Sequence, residues 1–162
     1  MYFYNQIIHI NRGVLIVGYF LKDACICDKH FIYQTKKDSI KKYVELIWGW
    51  DEEYQIKSFE KDFFLLSNFK VIYSIDKKIG FLEINETDKL INITEIHINP
   101  EFQRRGIGSK IINEIIYEAK EKNKKIALGC FKKNHGAVKL YIKLGFKIIE
   151  ETETHFVFEY NH

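Results

Sequence analysis

The sequence predicts an α/β domain in which a mixed, mostly antiparallel central sheet is flanked by about four helices. Three observations carry that expectation. Strand-like runs and helical stripes alternate along the chain. The strand–helix–strand passage from Ile93 to Phe131 is long enough to be a crossover between parallel neighbours. The 162 residues, 46% hydrophobic and 29% charged, fit one domain with a substantial core.

In chain order, Phe31–Gln34 reads as a short strand, after which Asp38 caps a helix with apolar positions at Ile40, Tyr43, Val44 and Ile47. Trp48-Gly49-Trp50 interrupts that helix, and Asp51 starts a second helical stretch with Tyr54, Ile56 and Phe59. Lys70–Ser74 and Ile79–Ile84, separated by the turn signal Asp76-Lys77-Lys78, read as a hairpin. Leu90–Ile98 is a third strand in that series. Beyond Pro100, Ile107, Ile111, Ile112, Ile115, Ile116 and Ala119 mark the apolar stripe of a longer helix. Lys125–Phe131 has the character of a buried strand, and Asn134–Leu144 that of a helix stopped by Gly145. Phe146–Ile149 and His155–Tyr160 close the chain as two strands.

The net charge of +3 is too small to argue for a nucleic-acid partner, and no helix-turn-helix, finger or RNP-type signature is present. Its distribution is uneven. Asn99 to Gly145 carries eleven Lys/Arg against four Asp/Glu, which suits a polyphosphate ligand on one side and a cationic acceptor on the other. Cys25, Cys27 and Cys130 lack metal-ligand spacing, so reduced thiols in a cytoplasmic protein are expected, with no metal. The apolar stretch Val14–Leu21 is shorter than the roughly 20 residues of a membrane span, and no cleavage site follows it. Residues 1–30 form an N-terminal extension of unassigned role, with alternating apolar positions that suit a strand or hairpin on the main sheet, and 31–162 form the domain.

The sharpest chemical signal is Gln103-Arg104-Arg105-Gly106-Ile107-Gly108, between a strand and an amphipathic helix. Two glycines at a helix N-terminus let the backbone approach an anion with no Cβ in the way. The free amides of the first turn and the helix dipole then favour that anion, and two arginines add charge. The run lacks the upstream glycine of a Walker A loop, and Ile111 stands where a dinucleotide fingerprint needs a small residue.

The run Ile96-His97-Ile98-Asn99-Pro100-Glu101-Phe102-Gln103-Arg104-Arg105-Gly106-Ile107-Gly108 resembles motif A of the GNAT N-acetyltransferases. Asn134-His135-Gly136-Ala137-Val138-Lys139-Leu140-Tyr141-Ile142-Lys143-Leu144-Gly145-Phe146 resembles their motif B, at the family's spacing. The resemblance spans about Phe31 to Tyr160. It implies the GNAT fold, with a parallel pair splayed between Ile96–Ile98 and Leu128–Cys130, and acetyl-CoA as the acetyl donor. The acyl-pantetheine arm would lie along Ile96, His97 and Ile98, bonded by the Ile98 backbone as an added strand would be. Gln103 and the amides from Arg104 through Arg105, Gly106, Ile107 and Gly108 to Ser109 would hold the diphosphate.

Asn134 would reach the cofactor while also suiting a helix N-cap. Tyr141 would touch the cofactor and act as general acid toward the departing thiolate, although it also fits a core tyrosine. The base is less direct. Asn92 and Thr94 stand where many relatives carry one, as does Gly129, and none of them can serve. Glu95 ranks first and His97 second, beside a water chain, and a bulge is needed to turn either of them inward. The first two helices would roof the acceptor pocket with Trp48, Trp50, Asp51, Glu52, Glu53 and Tyr54, and Trp50, Glu53, Tyr54 and His155 are its candidate residues. The expected partner is a small-molecule, peptide or protein amine, with no nucleic acid and no membrane, and a homodimer is left open. The alternative is a catalytically weak acyl-CoA-sensing or partner-binding module.

Overall fold

Residues 10–11, 14–15 and 18–161 are described by the structure, a computed structural model. Two short strands, β1 (Ile10–Asn11) and β2 (Val14–Leu15), pair antiparallel with each other. The main sheet contains β3 (Phe20–Asp23), β4 (Phe69–Ser74), β5 (Lys77–Glu86), β6 (Leu90–Ile98), β7 (Lys125–Phe131), β8 (Lys147–Glu151) and β9 (His155–Tyr160). Its order is β3-β4-β5-β6-β7-β9-β8, and only β6 and β7 run parallel. Four helices cover it: α1 (Lys29–Trp48), α2 (Glu52–Phe63), α3 (Ile107–Glu121) and α4 (His135–Lys143). Among the described residues no helix is long and apolar enough to cross a membrane.

The sheet separates two cores. On one face Ile32 of α1 and Phe59 and Phe63 of α2 bury against Phe69, Val71 and Phe81. On the other, the stripe Ile107, Ile111, Ile112, Ile115 and Ala119 of α3 buries against Ile72, Leu82, Ile91, Ile93 and Leu128. Side chains alternate across a strand, so neighbouring residues such as Phe81 and Leu82 feed opposite cores.

The helix limits follow local chemistry. Asp51 caps α2 by accepting from the Tyr54 amide at 3.0 Å, and Asn134 caps α4 by accepting from Ala137 N at 3.2 Å. Gly49 ends α1 at φ 78°, and Gly145 follows α4 at φ 92°.

Three expectations need correction. Phe31–Gln34 is not a strand but the first turns of α1, which runs unbroken from Lys29 to Trp48 and buries Ile32 against Phe69, Val71 and Phe81 of the sheet. Asp38 consequently lies inside that helix, where it accepts from Gln34 Nε2 at 2.7 Å rather than capping. Ahead of that helix, β3 pairs with β4 in the main sheet, and α1 starts at Lys29. The rest of the N-terminal extension lies largely outside the described residues. Finally, Cys25 and Cys27 are joined as a disulfide where the chain tightens into a 3-10 turn with their Cα atoms 5.2 Å apart, so Cys130 is the free thiol among the described residues.

Gly80 on β5 sits directly opposite Ile98 on β6, and a Cβ there would lie 2.2 Å from the His97 carbonyl oxygen. That obstacle is backbone and cannot swing aside. Gly80→Ala is expected to destabilise the fold by about 1–3 kcal/mol, the usual cost of overpacking. Thermal denaturation should show a melting point several degrees lower, and an unchanged one would refute the close approach.

Candidate functional site

The β6–β7 ladder stops early. Leu90 to Ile93 pair in parallel with Lys125 to Leu128, and no pairing continues beyond. Both strands nonetheless keep their outer partners, β6 on β5 as far as Ile98 and β7 on β9 as far as Phe131. Thr94–Ile98 and Gly129–Phe131 therefore diverge, at the place the resemblance implies. The gap opens into a cleft of about 1180 Å³ bounded by α1, β6, the start of α3, β7 and α4. That exceeds the usual pocket for one small molecule.

One end of the cleft is the turn before α3. Arg104 and Gly106 both have positive φ, 59° and 79°, and they swing the chain so that the helix starts at Ile107. The first intrahelical bond runs from Lys110 N to Gly106 O at 3.0 Å, which leaves the earlier amides to face the cleft mouth. Gly108 lies against Ile98, where an added Cβ would meet Cδ1 at an ordinary 3.5 Å. The glycine is thus not demanded by the protein's own packing. Gln103 Nε2 donates to Ile98 O at 2.7 Å, which fixes the turn against the free edge of β6. Arg104, Gly106, Ile107 and Ser109 line the cleft, whereas Arg105 folds its guanidinium over the Phe102 ring at 5.1 Å.

Tyr141 projects from α4 into the wall, 6% exposed, with Phe158 edge-on at 5.5 Å. Burial pushes its phenol well above the ordinary range, with smaller contributions from Cys130 and Glu95. The same side chains thus meet electrostatically across the gap. Burial also pushes the Cys130 thiol up to about 11, so it stays a neutral thiol.

The bulge required of β6 is present. Glu83 opposes Glu95 and Ile84 opposes Ile93, so Thr94 is the extra residue. Its hydroxyl accepts from Asn85 Nδ2 at 2.8 Å. The extra residue resets the alternation: Ile91, Ile93, Ile96 and Ile98 all face the α3 core, while Glu95 and His97 face α1. Glu95 Oε1 pairs with Lys36 Nζ at 2.8 Å, and its other oxygen bonds His97 Nε2. Burial alone would raise the Glu95 carboxyl, but His97 and Lys36 together hold it at about 2. Glu83, 5% exposed, is pushed the other way to about 7 by burial and by Glu95, against the pull of Lys36.

The far end of the cleft is aromatic. Tyr43 stacks on Phe131 at 5.3 Å, and His155 lies 4.2 Å from Phe131 and 6.3 Å from Trp48. Burial lowers the pKa of His155, which favours the neutral ring. Three expected acceptor residues are absent from this wall. Trp50 donates to Glu52 at 2.7 Å, Glu53 pairs with Lys57 on the outer side of α2, and Tyr54 is 66% exposed. The turn after Gly49 sets these three residues off the cleft, whereas Tyr43 and Trp48 of α1 and Gln55 of α2 line it. Lys36, Glu83 and Phe131 were not singled out from the sequence, since only the strand register and the course of α1 bring them here.

Residues 32–146 match the profile of the acetyltransferase (GNAT) family. An uncharacterised N-acetyltransferase of Methanocaldococcus jannaschii is 31% identical over 123 residues, covering 74% of this chain and 50% of that protein. The uncharacterised N-acetyltransferase CgeE of Bacillus subtilis is 36% identical over 81 residues, 50% of this chain and 30% of its own. The chain thus spans half or less of these curated relatives. Among solved structures, the PaiA N-acetyltransferase of Thermoplasma acidophilum in complex with coenzyme A superposes with a TM-score of 0.72 at 19% identity, covering 90% of this chain and 99% of that one. Arabidopsis thaliana Naa50 in complex with the bisubstrate analogue CoA-Ac-MVNAL gives 0.58 at 16%, covering 89% and 99%.

The raised pKa of Glu83 has a cost that can be measured. The unfolded chain ionises this group near 4.5 and the folded chain near 7, so folding loses stability as pH rises between those values. The full penalty, at most roughly 3 kcal/mol, applies above pH 7. Glu83→Gln is expected to melt higher than the parent protein at pH 8 and equally at pH 4. Chemical denaturation at both values checks this, and a variant less stable at pH 8 would contradict it.

Proposed function

The chain belongs to the acetyltransferase (GNAT) family, and on that premise we propose that it transfers an acetyl group from acetyl-CoA directly to a primary amine. The observation that carries this reading is the divergence of β6 and β7 after Ile93 and Leu128, with the glycine turn at one end of the gap and Tyr141 in its wall. The acyl-pantetheine arm enters the gap along the free edge of β6, taking the place of the missing ladder. Gln103 shares the Ile98 carbonyl, whose second lone pair remains for the arm. The amides of residues 104–109 and the α3 dipole hold the diphosphate, with Arg104 and Arg105 adding charge. Asn134 holds the start of α4 beside the arm, where its side chain caps the helix.

Chemistry needs an amine without its proton and a thiolate that can leave. His97, held by Glu95, takes the ammonium proton on the α1 side of the gap. The amine nitrogen attacks the thioester carbonyl, and the tetrahedral intermediate expels the sulfur. Tyr141 keeps its phenolic proton throughout the working pH range and donates toward that sulfur. The acceptor approaches from the side of α1, past Tyr43, Trp48, Phe131 and His155, so the pocket wall is aromatic and neutral at neutral pH. The peptide portion of the Naa50 analogue and the aromatic wall both make peptide and small-molecule amines suitable members of a test panel.

Two variants test the assignment. An added Cβ at Gly108 makes only ordinary contacts inside the protein, and the branches of a valine there would stand in the path of the diphosphate. Gly108→Val is expected to weaken coenzyme A by at least about tenfold, a loss of 1.4 kcal/mol, in calorimetry. Equal affinities would defeat the cradle. Tyr141→Phe keeps the ring packing and removes the hydroxyl. With a panel of amines as acceptors, kcat is expected to fall about a hundredfold while coenzyme A affinity and melting temperature hardly move. Full activity in that variant would remove Tyr141 from the mechanism. Binding of acetyl-CoA without turnover of any amine would instead favour an acyl-CoA sensor.

A further inference from the structure

Behind the cleft wall, four elements gather charges that the transfer of acetyl to an amine does not by itself require. Lys36 comes from α1, Asp62 from α2, Glu83 from β5, and Glu95 and His97 from β6. Lys36 is the hub, 2.8 Å from Glu95 and 3.8 Å from Asp62. Glu83 and Glu95 stand directly opposite each other in the β5–β6 register, where Cβ atoms are about 5 Å apart. Phe81 and His97 form the next opposed pair, with ring centroids 5.2 Å apart, so one wall of the cluster is apolar. Lys36, Glu95 and His97 reach the cleft surface, whereas Glu83 lies behind it. Across the gap, the Tyr141 phenol interacts electrostatically with both Glu95 and Cys130.

We propose that Glu83 and Glu95, which face each other across β5 and β6 beside the Lys36–Glu95 ion pair, form a two-carboxylate proton store behind the cleft wall, with His97 as the group that passes the acceptor's proton into it. The proposal rests on the acetyltransfer reading for the source of the proton. Two carboxylates facing each other out of water do not both ionise freely, and they titrate as one unit. Lys36 is a positioning residue that decides which of them stays charged. By bonding Glu95 it leaves the proton to Glu83, in keeping with the opposite displacements of the two groups, to about 2 and about 7.

The step balances. An N–H bond of the acceptor ammonium breaks, its electron pair stays on nitrogen, and the proton moves through His97 and Glu95 to become an O–H of Glu83. The neutral amine attacks, and the sulfur leaves with the Tyr141 proton. The tyrosinate is restored by the second proton of the acylated nitrogen. The stored proton returns to solvent when the amide departs, so each turnover releases one proton. The store does for an exposed amine what water alone does slowly near pH 7, because its acceptor is poised at the working pH.

The test uses the whole chain and the variants Glu83→Gln, Lys36→Met and Lys36→Arg. Infrared titration of the protein alone should show a carboxylic acid that loses its proton near pH 7 in the parent. That signal should vanish in Glu83→Gln, shift in Lys36→Met and be restored in Lys36→Arg. With acetyl-CoA and spermine, tyramine or a short peptide as acceptor, the acidic limb of kcat/KM against pH should move in Glu83→Gln. At pH 7 the loss should be at least about tenfold, with coenzyme A affinity unchanged. The same variant should be more stable at pH 8, so the lost activity cannot be charged to a weakened fold. A pH profile superimposable on the parent, or no carboxyl titrating between pH 6 and about 8, would overturn the proposal. If the parent acetylated none of the three amines, the acetyltransfer reading would fall, and the infrared titration would still decide whether the two carboxylates share a proton.

Discussion

One inserted residue organises the molecule. Thr94 bulges out of β6, and the strand's alternation restarts one place later. Without it, Ile96 and Ile98 would turn toward α1, and Glu95 and His97 would be driven into the α3 core. An ionised carboxylate in that apolar layer would cost several kcal/mol or would not ionise at all. With it, four isoleucines stay on one core face while two polar residues reach the opposite side. The same irregularity lies where the ladder to β7 ends, so the opening of the sheet and the delivery of its polar groups have one cause.

The electrostatics of the site are arranged for ionisation states rather than stability. A buried ion pair such as Lys36–Glu95 seldom outperforms apolar packing of similar volume. Here it stands beside a second carboxylate that it does not fully compensate, and the pair is driven apart in proton affinity. Such divergence between neighbouring acids marks a division of labour, one group charged and one able to change. Tyr141 lies on the far side of the gap with its proton firmly held, so titratable groups of opposite tendency flank the space between the strands.

Much of this was legible in the residues. Gly106 and Gly108 marked the turn into α3, and the boundaries of β6, β7 and β9 follow directly from their apolar runs. Asn134 and Tyr141 fell at their motif positions on α4. Phe31–Gln34 misled because aromatic and β-branched neighbours in a row look like a strand. Only the tertiary fold, which buries Ile32 of a continuous helix against the sheet, decides against it. The acceptor wall misled for a related reason. Trp50, Glu53 and Tyr54 are close to Trp48 in sequence, but Gly49 breaks the helix between them, and of this stretch Gln55 rather than those three lines the cleft. Glu83 and Lys36 carry no local signal whatever, because their meeting depends on register and on where α1 crosses the sheet.

The aromatic end of the cleft also gives the protein an optical asymmetry. Of its two indoles, Trp48 stands on the cleft wall, 63% exposed and stacked near His155, while Trp50 is tied by its nitrogen to Glu52 outside the cleft. A molecule settling between α1 and β7 changes the surroundings of the first and leaves those of the second alone. Indole fluorescence is therefore divided into a responsive half and a constant one, so occupancy of this end of the cleft can be followed without attaching a dye.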